Sequence, residues 1–136
     1  MRIIPKQKTA IRIMTWSIGF ILIFHVLVLL RIVPYAVVWG GRLTSDIEMY
    51  VFEFISIGMN LLLFMALRII AEPEKTALPI RLVNGVLWLF LGIFVLNTIG
   101  NLLAQTAIEK AFALLTLAFA SLLWIILRPS NKPPLV

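Results

Sequence analysis

The chain has 136 residues, 62% hydrophobic and only 13% charged, with a mean hydropathy of +1.06. Soluble domains are about half apolar; so little charge cannot cover a water-facing surface of this size, and the class expected is all-α, a polytopic membrane protein. The absence of cysteine excludes disulfides, thiolate nucleophiles and Cys-ligated metals.

A net charge of +6 and a pI near 10.4 would favour nucleic acid in a soluble protein. Here the basic residues flank apolar runs, where membrane orientation and anionic headgroups account for them. Membrane lipids are therefore the expected partners, and nucleic acid is not.

A spanning helix needs about 20 apolar residues, and the spacing predicts four, at about 13–33, 49–71, 82–104 and 108–128, forming a single integral membrane domain. The first follows Arg2, Lys6, Lys8 and Arg12 and is interrupted only by Thr15, Ser17, His25 and Arg31. Signal-peptide apolar regions are about 7–15 residues and end at small residues. This run is longer and ends at Val33-Pro34-Tyr35, so it is expected to stay attached. Pro34 is its natural stop. Gly40-Gly41-Arg42 comes next, giving backbone freedom beside a cation suited to carboxylate or phosphate, although it matches no phosphate-loop pattern.

The second span opens on Ser45-Asp46-Ile47-Glu48, which fits a capping box with Ser45 as N-cap and Glu48 at N3. Pro73 closes it, and the short Pro-containing connection at 72–81 makes spans two and three antiparallel neighbours. A tight turn at 105–110 leads into the fourth span, and the tail from Arg128 carries Pro129, Pro133 and Pro134. All seven prolines lie outside the spans, which favours four uninterrupted helices over the broken helices of many ion-coupled transporters. Gly85, Gly92 and Gly100, with Ala113, Thr116 and Ala120, are expected to let helices approach closely.

Alternating turns put Arg2, Lys6, Lys8, Arg12, Arg68, Lys75, Arg81, Arg128 and Lys132 on one side and Arg31, Arg42 and Lys110 on the other. That bias places both termini in the cytoplasm, N-in/C-in, with the bacterial cytoplasmic (inner) membrane as the expected location. Tyr35, Trp39 and Tyr50 then fall at the outer interface, and Trp16 and Trp124 near the inner one.

The polar residues gather in the outer half. At 1.5 Å per residue His25 lies about 12 Å deep, Glu53 about 6 Å, Asn60 about 16 Å and Asn97 about 10 Å, with Asn101 and Gln105 shallower. At 100° per residue Glu53, Ser56 and Asn60 share a face, as do Asn97, Thr98, Asn101 and Gln105. Lipid cannot satisfy amides or a carboxyl, so both stripes should face the bundle interior, lining an outward-facing polar cavity roofed by 34–45.

His25, Arg42, Glu53, Asn60, Asn97 and Asn101 are thus the candidate binding residues, for a small amphiphile with a polar head and an apolar tail. Each also has a plainer reading. Glu53 would be an interfacial carboxylate paired with Arg31 or Arg42, His25 a structural histidine, and Arg42 a turn residue held by Asp46 or Glu48. Amides inside membranes more often join helices than bind ligands. A lone histidine makes no metal constellation, and no cofactor is implied.

Three functions fit these residues: ligand binding or transport, a membrane-embedded acid/base enzyme of isomerase type using His25 and Glu53, and a non-catalytic accessory or structural subunit. Self-association as a homo-oligomer suits so small a bundle.

Overall fold

The computed structural model describes residues 5–35, 43–103 and 107–128, with side chains from 110 onward in the last stretch. They form helices α1 (Pro5–Leu29), α2 (Asp46–Ala71), α3 (Ile80–Leu103) and α4 (Ala107–Leu127), with a single 3-10 turn at Pro73–Lys75. The described residues are all-helical apart from their connections, and all four helices are long and apolar enough to span a membrane. Only 22–28% of each apolar window is buried inside the protein. Trp16, Phe20, Leu96, Leu103 and Leu114 are among many large apolar side chains left on the outside. Exposed apolar surface on this scale suits an apolar surrounding, as expected of a membrane protein.

The helix ends follow local chemistry. α1 is already helical at Pro5, well before the apolar run, and proline is tolerated in the first turn of a helix. Gln7, Ala10, Ile11 and Met14 are buried at i, i+3, i+4 and i+7, so the inward stripe starts among the basic residues. α1 ends at Leu29, before the expected 33, since the ring of Pro34 opposes helical backbone at the residues preceding it. Arg31 takes φ 60°, its N–H donates to the Val28 carbonyl (2.8 Å), and the Ile32 N–H donates to Leu27 (2.9 Å). That is a Schellman ending, with arginine where glycine is usual.

α2 starts at its cap. The Glu48 N–H donates to Ser45 Oγ at 3.3 Å, while the Glu48 carboxylate accepts from the Thr44 N–H (2.8 Å) and hydroxyl (3.0 Å). The reciprocal bond therefore reaches one residue further back than a standard capping box. Beyond α2, the Glu72 carboxylate accepts from Lys75 at 2.7 Å and lies 3.8 Å from Arg68.

The chain divides into two compact units. In Thr15–Met65, Ile18 and Val28 of α1 and Met49 and Leu63 of α2 are buried with Glu53. The other unit holds residues 5–14 and 66–128. Within it α3 packs along α4. Trp88 meets Trp124 (5.9 Å between rings), Phe94 meets Phe119 (5.3 Å), and the Thr98 and Thr116 hydroxyls lie 2.9 Å apart. As one number rises the other falls, so the pair is antiparallel. Ala113 and Ala120 are buried in this unit. Gly85, Gly92 and Gly100 are not at a close approach: a Cβ on any of them would meet nothing within 4 Å. The expected small-residue contact face of α3 is corrected accordingly, because Val83, Leu87, Phe90 and Leu91 occupy its inward side.

Candidate functional site

The Thr15–Met65 unit brings two ionisable side chains together within predominantly apolar helices. His25 Nδ1 of α1 lies 2.7 Å from Glu53 Oε2 of α2. Glu53 has 0% of its side chain exposed and His25 14%. The contact holds one proton between nitrogen and oxygen: either Nδ1–H donates to a carboxylate, or a carboxyl O–H donates to Nδ1. Hydrogen bonds with an ionised partner are about twice as strong as neutral ones, and a polar group covered to this extent is costly to leave without a partner.

A second polar cluster stands where α1 ends and α2 begins. Arg31 Nη2 donates to Asp46 Oδ2 at 2.6 Å, and the guanidinium lies over the Tyr50 ring, 5.6 Å from its centre. The Tyr50 hydroxyl first, and the Asp46 charge after it, hold the Arg31 guanidinium above its ordinary, already high pKa. Asp46, Tyr50 and Glu53 recur at i, i+4 and i+7, so one face of α2 carries both clusters. Helical phase alone would not put Arg31 against this face. Its left-handed backbone breaks that phase and turns the chain. Pro34, three residues on, is the sequence signal that the helix ends here.

No family model, no curated protein and no solved structure matches this chain. The functional reading therefore rests on the geometry itself.

The other candidate residues divide as follows. Asn60 is half-buried, and its Nδ2 donates to the Ser56 carbonyl of its own helix at 2.8 Å. Arg42 and most of the proposed roof lie outside the described residues. In the other unit, Asn97 is exposed and Asn101 half-buried, while Thr98 is buried. The expected inward position of Asn97 is thus corrected. α3 contacts α4 through Thr98, whose hydroxyl also reaches the Phe94 carbonyl at 2.8 Å, and the next residue round the helix turns away. Gln105 also lies outside the described residues.

The sequence reading did not anticipate Gln7, a polar side chain only 2% exposed. Its Nε2 donates to the carbonyls of Ile126 (3.0 Å) and Arg128 (2.8 Å), satisfying orphan acceptors at the end of α4. Among the described residues, no three His, Cys, Asp or Glu side chains converge to hold a metal.

Proposed function

We propose that this chain is an integral protein of a bacterial cytoplasmic membrane, with both termini inside, that binds a small amphiphile at the His25–Glu53 pair. The observation that carries this reading is the 2.7 Å contact between a fully covered carboxyl and an imidazole that stays partly open. An ionisable group within a spanning helix is costly to keep and marks function by default. Because Glu53 is covered and His25 is not, a ligand's polar head engages the imidazole while Glu53 orients it. Its apolar tail lies along the helix side chains, and the ligand stands either as bound cargo in transport or as a resident. With the N-terminus inside, α1 runs outward and His25 falls in its outer half, nearer the extracytoplasmic surface.

The same contact favours a second reading, acid/base catalysis of isomerase type, because proton exchange needs groups within hydrogen-bond reach. The test is a thermal-shift screen of the purified protein in mild detergent against lipids, fatty acids and amphiphilic metabolites. A stabilising compound whose effect falls in Glu53→Gln supports binding. Conversion of that compound by the wild type alone moves the assignment to an enzyme. If no compound stabilises the wild type, the pair is a helix clamp and the protein an accessory subunit.

A further inference from the structure

We propose that the unit formed by residues 5–14 and 66–128 carries a binding site for an anionic phospholipid headgroup, built from Arg128, Trp124 and Trp88 and flanked by Lys6 and Lys8. The proposal rests on the membrane placement above and is independent of any ligand at His25. It starts from the Arg128 guanidinium, which lies over the Trp124 ring at 5.4 Å from its centre. Trp88 meets Trp124 edge-on, the rings 87° apart. The two indoles are 49% and 45% exposed. A flat cation beside two half-exposed indoles is a set of donors suited to a phosphate at a membrane interface.

Charge accounting at this end of the unit points the same way. Glu72 takes up Lys75 and Arg68. Among the described residues, Lys6, Lys8, Arg81 and Arg128 form no ion pair with a carboxylate. Neither α1 nor α3 has an acidic residue in its first turn. Lys6 and Lys8 instead stand in or just beyond the first turn of α1, and Arg81 in that of α3. Cations at the positive end of a helix dipole are unfavourable, and a bound anion removes that penalty. The opposing feature would be the end of α4, whose last carbonyls repel a phosphate. Gln7 takes two of them, at Ile126 and Arg128, and in doing so brings Lys6 and Lys8 to the same end as Arg128. Gln7 is a positioning residue for this site.

A lipid, and not free phosphate, is the occupant because apolar side chains begin at once beside the cations. Leu82, Leu89 and Ile125 are exposed there, ready to contact acyl chains.

The experiment uses the full chain with Trp16→Phe and Trp39→Phe, leaving Trp88 and Trp124 as reporters. It is reconstituted in phosphatidylcholine vesicles containing a minor fraction of brominated phosphatidylglycerol or, in parallel, brominated phosphatidylcholine. Stronger quenching by the anionic lipid is expected, with apparent affinity falling about fivefold in Arg128→Gln, as loss of one basic contact near a membrane predicts. Lys110→Gln, at the other end of α4, should leave it unchanged. Equal quenching by both lipids overturns the site, as does wild-type quenching in Arg128→Gln or competition by inorganic phosphate at constant ionic strength. Should Arg128→Gln fail to fold, the comparison of the two brominated lipids decides alone. Extraction of the chain by alkaline carbonate would instead defeat the membrane placement, so the two failures are distinguishable.

Discussion

Replacing His25 and Glu53 singly and together gives a direct measure of the contact between them. In a membrane, interhelical hydrogen bonds couple by about 0.6 kcal/mol on average and up to about 1.7. The 2.7 Å contact has an ionisable group on each side, and charge assistance roughly doubles such a bond. The coupling between His25→Leu and Glu53→Leu should therefore be about 1.2–3.4 kcal/mol. Each single change strands a polar group with 0% or 14% of its side chain exposed, and should cost more than the double change, which leaves leucine against leucine. Reversible unfolding of the four proteins in mixed detergent, followed by circular dichroism, supplies the cycle. Additivity within about 0.5 kcal/mol, the scatter expected of independent sites, would refute the pairing, and with it every role assigned to the two residues.

Gln7→Leu keeps the volume but removes the donor to Ile126 and Arg128; a loss of about 1–3 kcal/mol is expected for stranding buried acceptors, and an unchanged unfolding midpoint would contradict the cap. At Arg31, where φ is 60°, Arg31→Gly should melt several degrees above Arg31→Val, since only glycine adopts this backbone without strain; equal melting would mean the Schellman ending does not form. The Lys75 hydrogen bond and charge, with Arg68 behind them, hold the Glu72 carboxyl below its ordinary pKa, and Glu72 in turn raises Lys75. Their mutual stabilisation is thus complete between about pH 4.3 and 10.4, the unfolded values. It is lost as pH falls through the depressed value of Glu72 or rises through the raised value of Lys75. Amide exchange across Pro73–Lys75, corrected for intrinsic rates, should be flat inside that window and faster below it, and a flat profile throughout would count against the pair.

Helix number was legible because hydropathy over about 20 residues is a property of the segment alone. The start of α2 was legible too, since a cap is written in neighbouring residues: Ser45 and Glu48 bond near where the pattern put them. Apolar runs, however, mark what can sit in hydrocarbon and not where backbone hydrogen bonds stop. That is why α1 is already helical at Pro5 and stops at Leu29. Which polar residue turns inward depends on helix phase to within one position: of the stripe expected to face inward, Thr98 is buried while its neighbour Asn97 is exposed. Gln7 was out of reach for a different reason. Its partners lie 119 and 121 residues away and are main-chain carbonyls, which have no signature in a sequence. The meeting of His25 with Glu53 stood between these cases: depth brought the two residues near one another, but only coordinates could give the distance.

Asn60, Thr98, Thr116 and Ser121 each reach the carbonyl four residues earlier on their own helix. On the membrane placement proposed above, α3 and α4 would enter hydrocarbon with the Thr98, Thr116 and Ser121 hydroxyls already satisfied. His25 and Glu53 meet instead across α1 and α2. On the same placement, α1 and α2 would partition together as a hairpin, each supplying the polar partner the other needs.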